Sequence, residues 1–404
     1  MASAEYPLEG IRITDFGQVW AGPILSGLLA NMGAEVIKIE TRKRLDSVRL
    51  GPDNVERDPE KDPWFQCINR NKLSITVDFS DERGVALLKK LVKISHVVSE
   101  NFSPGVLKRH GLDYDSLVKI KPDLIMVALP GAGSFGPMAD LVTYGPSIVG
   151  LCGYDRMVGY EGERVLGMQQ PYADVVAALY GAYSVLAAIN HQQETGEGQY
   201  IELCQWEAAT AVMGEALMES VMNGRNPGTL GNVQPGMAPH NNYPCQGQDK
   251  WVSIAIKTDD EWGAFCRAIG SPEWAKEERF ADGFLRWQNR KEMDRLVGEW
   301  TRGRTHYEVT ELLQKAGVAA APCLSMDERL EDPHFQDRQA FVPIEHPVIG
   351  TGWVTSIPWK MSDTPGGVRT PAPLIGQHNQ YVFGELLKMS QDEINYLVQE
   401  KVIY

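Results

Sequence analysis

The chain has 404 residues, enough for two domains and a large core, and its 43% apolar and 23% charged residues are typical of a soluble globular protein. Its 53 acidic residues outnumber its 39 basic residues, so the net charge is −14. This balance argues against nucleic acid and anionic membrane surfaces as partners. We therefore expect a group of basic residues wherever the chain binds an anion.

The cysteines and histidines lack the spacing of a metal site. Six cysteines are scattered without a CxxC pair, which favours reduced thiols in a cytoplasmic protein, and the eight histidines show no HExxH or HxxxH spacing. We also expect no signal peptide, because Met1–Tyr6 has neither a basic nor an apolar stretch. The longest apolar run, 175–189, is too short to span a bilayer and predicts a core helix.

Strand and helix patterns alternate along the first 130 residues. Strands are predicted at 11–16, 36–39, 73–79, 96–101 and 124–129, and helices at 24–32 and 80–92. This βαβ rhythm predicts an α/β fold with a doubly wound, mostly parallel sheet.

Residues 174–224 are predicted to be mainly helical, with a turn at 195–198, and a linker rich in Gly, Pro and Asn follows. A strand at 251–256 and charged amphipathic helices up to Lys315 then indicate a smaller α+β domain. Periodicity is weak from Pro322 onward. We assign 1–222 to a large domain, completed by about 331–404, and 223–330 to the small one.

Asp174 is the most informative single residue, because it directly precedes the apolar helical run. In the first turn of a buried helix, unpaired N–H groups and the positive end of the helix dipole favour an ionised carboxylate. An oriented, desolvated carboxylate can act as a covalent nucleophile. A plain helix cap is the alternative interpretation of Asp174 alone.

Basic residues recur near successive strands, at Arg42, Lys43 and Arg44, at Arg70 and Lys72, and at Lys108 and Arg109. The loop 17–23 also follows the first strand, where open α/β sheets bind ligands. These residues predict a phosphate-binding edge of the sheet. A solvated surface is the alternative.

Gly131, Gly133 and Gly136 form a literal GxGxxG after a predicted strand. Pro137 follows and no amphipathic helix begins there, so the pattern does not support a dinucleotide site. A tight turn is the better interpretation.

Taken together, the motifs of the chain resemble the class III CoA-transferase family, which includes formyl-CoA and carnitine-CoA transferases. The resemblance runs almost end to end and rests on 8–16, Ala21–Pro23, 29–40, Asn69–Lys72, 100–105, Asp174, 195–199, 316–322, Asp332–Pro333 and 371–378. Each motif is weak alone, but their shared order and spacing are specific.

This resemblance implies a Rossmann-like large domain, a smaller domain, and an interlocked, ring-like homodimer or a heteromer with a paralogous subunit. Asp174 matches the family's catalytic aspartate, which passes through an acyl anhydride and an aspartyl-CoA thioester. No permanently bound cofactor or metal is implied; coenzyme A enters as a thioester substrate. The implied coenzyme A contacts are Gln18, Val19, Trp20, Ala21, Arg42, Asn69, Arg70, Asn71, Lys72, Asn101, Phe102, Ser103, Arg109 and Tyr144.

Two departures from the formyl-CoA members concern the substrates. Trp20 replaces a glutamine, which disfavours oxalate, and Val142 replaces a lysine that contacts coenzyme A. We therefore expect CoA transfer from a donor such as succinyl-CoA to a bulky, aromatic or dicarboxylic acid. Gly231–Pro239 lies where relatives carry a mobile glycine loop, so a lid is a hypothesis for this segment.

Two alternatives are an α-methylacyl-CoA racemase and a non-catalytic subunit of a heteromeric transferase. Racemases of this fold pair the aspartate with a histidine as a second base. This chain offers Tyr144 there, and tyrosine is a poor base at neutral pH. Asp174 in turn argues that the chain is active.

Overall fold

The computed structural model describes residues 5–168 and 170–404. Residues 1–4, on which part of the signal-peptide expectation rests, lie outside this range. The chain forms two compact units. The first comprises the chain up to Asp155, Met168–Asn226 and Arg338–Tyr404, and the second comprises Arg156–Gly167 and Pro227–Asp337. The short segment 156–167 belongs to the second unit, whereas the sequence predicts it in the large domain.

A six-stranded sheet, parallel throughout, forms the centre of the first unit. Its strands are β1 (Arg12–Asp15), β2 (Glu35–Glu40), β3 (Lys72–Thr76), β4 (Val97–Glu100), β5 (Ile125–Ala128) and β6 (Tyr200–Glu202). Their spatial order is β3-β2-β1-β4-β5-β6, which is the order of a dinucleotide-binding Rossmann sheet. The predicted α/β fold with a parallel sheet is thus confirmed.

Helices cover both faces of this sheet. The first unit contains α1 (Ala21–Asn31), α2 (Pro63–Ile68), α3 (Glu82–Lys93), α4 (Tyr114–Leu117), α5 (Gly145–Cys152), α6 (Tyr172–Thr195), α7 (Gln205–Ala211), α8 (Gly214–Asn223) and α15 (Gln391–Gln399). Side chains alternate along each strand: Val97 and Ile125 pack with α1 and α6, whereas Val98 and Met126 pack with α3. Burial on both faces explains why the strands are almost continuously apolar.

Two elements of this unit were missed in the sequence. Strand β6 has only three residues and lies within the stretch predicted as helical. An antiparallel hairpin, β10 (Phe341–His346) and β11 (Gly350–Thr355), occupies the region of weak periodicity. Thr351, Trp353 and Thr355 of β11 are exposed, and its other residues include Gly350 and Gly352, so the strand carries little of the apolar alternation by which strands are recognised.

Helix α6 is the main core helix. With 24 residues it has the length and apolar composition of a membrane span, which corrects the expectation that the apolar run is too short. Core helices of soluble proteins share these properties, and Val176, Ala178 and Val185 are buried in the main apolar cluster. The helix packs closely on α1 at Gly181, where an added Cβ would overlap Leu25.

The second unit contains a three-stranded antiparallel sheet with the order β7-β8-β9. Its elements are β7 (His240–Pro244), β8 (Trp251–Ala255), β9 (Ala319–Cys323), α9 (Asp259–Ala268), α10 (Gly283–Gln288), α11 (Arg290–Thr301), α12 (His306–Lys315), α13 (Met326–Glu331) and α14 (Pro333–Asp337). Thr258 and Thr305 begin α9 and α12 with capping boxes. Phe265, Met293 and Leu313 are fully buried in its own core.

Candidate active site

The order of the strands reverses between β1 and β4, and the loops that follow these strands are bound to each other. The Gln18 N–H donates to Asn101 Oδ1, and Asn101 Nδ2 donates to the Gln18 carbonyl, both at 2.8 Å. Ligands of doubly wound sheets bind at such a switch point, outside the carboxyl ends of the strands. A ligand site is therefore expected beside the Gln18–Asn101 pair.

Asp174 lies at this end of the sheet, in the first turn of α6. It is only 8% exposed. Burial raises its pKa to about 6, although hydrogen bonds from the backbone of Ala21 and from its own N–H lower it. The sequence predicted that the helix end would dominate; instead desolvation outweighs it. At neutral pH the carboxylate form still prevails.

Three helices begin around this carboxylate. Asp174 is near the start of α6, Ala21 is the first residue of α1, and Gly145 is the first residue of α5. A Cβ placed on Gly145 would overlap Asp174 Oδ2. Helix N-termini favour negative charge. The site can thus stabilise both the carboxylate and the oxyanions that form when it is acylated.

The loop between β1 and α1 is tightly folded. A Cβ on Gly22 would lie 2.7 Å from the Gly17 Cα, so neither glycine leaves room for a side chain. Val19 has a φ of 64°, a conformation that costs a β-branched residue on the order of 1–3 kcal/mol. The surrounding structure must hold this conformation, and it places Trp20 and Ala21 beside Asp174.

A cavity of about 400 Å³ opens onto Asp174. Its wall includes 18–20, Arg44, Trp64, 101–104, residues within 131–148 and 170–174, and Gln205 from α7. Among the described wall residues, Asp174 and Arg44 alone carry a charge. An anionic ligand near Asp174 would therefore find its nearest wall cation in Arg44.

Aromatic side chains form much of the remaining wall. Trp20 and Trp64 make an edge-to-face pair, with ring centroids 4.9 Å apart and planes at 82°. Phe102 and the exposed Tyr144 also line the cavity. Such a wall provides apolar contact area and restricts water near the carboxylate, which a hydrolysable acyl intermediate requires.

The structure brings most of the predicted contact residues together at this cavity. Gln18, Val19, Trp20, Asn101, Phe102, Ser103 and Tyr144 all line it. Ala21 reaches the site through its backbone. Val142, the position of the missing lysine, lines the cavity too and is 79% exposed.

Three other predicted contact residues are buried and bonded within the protein. Lys72 Nζ donates to the Pro23 carbonyl (2.8 Å) and to Asn69 Oδ1 (2.9 Å), and pairs with Asp15 at 3.3 Å. Burial lowers the pKa of Lys72 to about 8. Asn71 accepts the N–H groups of 369 and 370. Contacts of these three side chains with coenzyme A remain a prediction, and in this structure they brace the loop and the sheet.

The predicted arginines do not converge on the cavity. Arg42 and Arg109 are exposed and are not among its wall residues, and Arg70 Nη1 donates to the Thr355 carbonyl. Their roles also stay predictions. Lys108 lines a second cavity of about 480 Å³, which lies at the ends of β4, β5 and β6 and shares Phe102 with the first.

Three site residues were not singled out from the sequence. Arg44 was part of a basic run, but no pattern distinguished it from Arg42. Gly145 carries no chemical group, and its role follows only from its approach to Asp174. Gln205 donates Nε2 to the Leu129 carbonyl at 2.8 Å, while its Oε1 has no partner among the described residues.

The structure also bears on a dinucleotide site and on a metal site. No α-helix follows directly on the Gly131–Gly136 turn, since α5 begins at Gly145, so the turn lacks the helix end that a dinucleotide phosphate needs. Within residues 5–168 and 170–404, no group of three or more His, Cys, Asp or Glu side chains could hold a metal ion.

The chain belongs to CoA-transferase family III, whose family model matches residues 8–379. It is 32% identical over 397 residues to the succinyl-CoA–D-citramalate CoA-transferase of Chloroflexus aurantiacus, with 98% of each chain covered. It is also 32% identical over 400 residues to the alpha subunit of a succinyl-CoA–L-malate CoA-transferase of Chloroflexus aurantiacus, covering 99% of this chain and 93% of the subunit.

A solved structure has the same fold. The crystal structure of a CAIB/BAIF family protein from Brucella suis superposes with a TM-score of 0.87 at 30% identity, covering 94% of this chain and 99% of the other. The protein is therefore a class III CoA-transferase, and the resemblance identified in the sequence is confirmed.

Proposed function

We propose that the protein moves CoA from succinyl-CoA to a dicarboxylic acid, with Asp174 as the group that is acylated. The single observation that carries this proposal is the buried Asp174 carboxylate, which opens onto a cavity of about 400 Å³ amid three helix N-termini. A carboxylate nucleophile needs desolvation, orientation and nearby N–H donors, and Asp174 has all three.

The reaction is balanced without an external proton or cofactor. The Asp174 oxygen attacks the donor thioester carbon; a C–O bond forms, the C–S bond breaks, and CoA leaves as the thiolate. The thiolate then attacks the Asp174 carbonyl of the anhydride, which forms an aspartyl thioester and releases the donor acid. The acceptor carboxylate repeats both steps in reverse order and regenerates Asp174.

The substrate class is supported by Arg44 and by the relatives. Both transferases named above use succinyl-CoA and a hydroxy-dicarboxylic acid according to their names. A dicarboxylic acid that presents one carboxylate to Asp174 leaves the second one unpaired. Arg44, the one cation among the described wall residues, can bind that second carboxylate.

We further propose that two copies of the chain associate, as the interlocked dimer of the family implies, in the cytoplasm. Helix α8 has no buried residue in the single chain. Its Leu217, Met218, Val221 and Met222 are all exposed. A contiguous apolar helix face of this kind is usually covered in an assembly.

Trapping the acylated aspartate tests the proposed function. After incubation with succinyl-CoA, hydroxylamine should convert Asp174 to a hydroxamate that mass spectrometry locates in its peptide. Asp174→Asn should fold normally, give no hydroxamate and lose transfer by at least about 10⁴-fold. Transfer at the wild-type rate in that variant, or a hydroxamate at another residue, would refute the role of Asp174.

A further inference from the structure

The loop that precedes α1 is fixed mainly by buried side chains that do not line the cavity, Asp15, Lys38 and Asp46. Asp15 Oδ1 accepts the Gly17 N–H at 2.8 Å, and Lys38 Nζ donates to the Gly17 carbonyl at 2.6 Å. On the other side of the loop, Asn101 binds both backbone groups of Gln18. The backbone polar groups of two consecutive residues are thus all bound by side chains.

Asp46 holds the next residue. Its Oδ1 accepts the Val19 N–H at 3.0 Å, while its Oδ2 pairs with Lys38 Nζ at the same distance. The Asp46 side chain is 1% exposed and that of Lys38 is 0% exposed. A buried ion pair adds little net stability, because desolvation offsets the attraction. Its retention here needs another reason.

The position of the pair supplies that reason. Val19 has the positive φ that an isolated β-branched residue avoids, and Asp46 binds the N–H of this residue. Val19 and Trp20 line the same cavity as Asp174, and the backbone of Ala21, the next residue, lowers the pKa of Asp174. A relaxed Val19 would redirect the chain at the start of α1 and withdraw that backbone group.

We propose that Asp46 is a positioning residue for catalysis, which holds Val19 in its left-handed conformation so that the backbone of Ala21 keeps its place beside the Asp174 carboxylate, while Lys38 compensates the buried charge of Asp46. This inference rests on the proposed function, because it concerns Asp174 as the acylated group. It predicts that activity depends on the hydrogen bond to Val19 and not on the charges of the pair.

Two double variants separate these contributions. Lys38→Met with Asp46→Asn removes both charges but keeps a side-chain oxygen for the Val19 N–H. Lys38→Met with Asp46→Leu removes the charges and the oxygen, with a side chain of similar size. The two variants differ mainly in the acceptor, and kcat and KM are compared after correction for the folded fraction.

The Asn double variant should retain kcat within about threefold of the wild type, whereas the Leu double variant should lose about ten- to hundredfold in kcat. KM for succinyl-CoA should change little in either. The acid limb of the pH profile should move to higher pH only in the Leu variant, because the Ala21 hydrogen bond lowers the pKa of Asp174.

Equal kcat values and equal pH profiles in the two double variants would overturn the proposal. If neither double variant folds, Asn101→Leu replaces them at the half-buried opposite side of the loop. A loss in kcat supports positioning there; an unchanged kcat overturns it, even if KM for succinyl-CoA rises. Asp174→Asn should be inactive whatever these variants show, if the proposed function is correct. The positioning role of Asp46 and the acylation of Asp174 can therefore be refuted independently.

Discussion

Gly145 lies against the Asp174 carboxylate so closely that a Cβ would overlap Oδ2. The first residue of α5 must therefore be glycine if the carboxylate is to keep its place. Both residues are buried, so neither can move outward without opening the core. Gly145 is therefore required for activity, although it has no functional side chain.

Gly145→Ala should lower kcat by about 10²-fold or more, because displacement of a nucleophile by about 1 Å is enough for such a loss. Gly214→Ala is the matched control: Gly214 is also the first residue of a helix, and a Cβ there would meet no atom within 4 Å. Steady-state kinetics and thermal melts compare the two. Similar kcat values would show that the contact does not constrain Asp174.

The rate of transfer should fall on acidification through about pH 6. The nucleophile must be ionised, and burial raises the pKa of Asp174 to about 6. Among the described residues of the cavity wall, Arg44 is the one other charged residue. The ionisation of Asp174 should therefore dominate the acid limb of the pH profile. A profile of kcat from pH 4.5 to 8 checks this; a limb centred near pH 4 would contradict the desolvation.

The same ionisation should make Asp174→Asn more stable than the wild type above neutral pH. Burial raises the pKa of Asp174 from the ordinary value of 3.8 to about 6 in the folded state. The folded chain therefore loses stability as the pH rises through this interval. The difference corresponds to at most about 3 kcal/mol. Urea unfolding of both proteins at pH 4 and pH 8 should show a gain for the variant only at pH 8.

Arg44→Gln should raise KM for a dicarboxylic acceptor about tenfold or more and leave that for a monocarboxylic acid of the same length unchanged. Lys93→Gln is the control, since Lys93 is an exposed cation in the last turn of α3 and not in the cavity wall. An equal rise for both acids would contradict binding of the second carboxylate by Arg44.

Val221→Glu should lower the fraction of the protein that assembles as a dimer during refolding, because it places a carboxylate in the exposed apolar face of α8. Val221 is 71% exposed in the single chain. Val398→Glu makes the same change on α15, where the side chain is 44% exposed, and should have no such effect. Light scattering after refolding, over a range of concentrations, reports the mass; an unchanged mass for Val221→Glu argues against this interface.

Much of the central sheet could be predicted because its strands are short apolar runs between clear helical patterns. β1, β4 and β5 lie inside their predicted spans, β3 begins one residue before its span, and β2 extends Val36–Ile39 by a residue at each end. β6 could not be found, since Tyr200–Glu202 is shorter than the four to eight residues over which a strand pattern can be recognised. The hairpin β10–β11 was not predicted, because exposed residues and glycines interrupt its apolar pattern.

The site was only partly predictable for a related reason. Asp174 could be found because the helix that follows it is long and apolar. That Lys72 is buried whereas Arg44 lines the cavity could not be predicted. The sequence indicates where a strand runs, but not whether a long cationic side chain points into the protein or out of it. Lys72 is drawn inward by Asp15, a pairing of two positions 57 residues apart.

The closeness of α1 and α6 at Gly181 gives the enzyme a mechanical coupling between core and chemistry. α6 carries the nucleophile, α1 begins with the backbone group that lowers its pKa, and the two helices meet two turns into α6 and one turn into α1. A bulkier side chain at position 181 would push α1 and α6 apart and would displace the ends of these helices at Ala21 and Asp174. Apolar substitutions along this seam should therefore tune turnover before they unfold the protein.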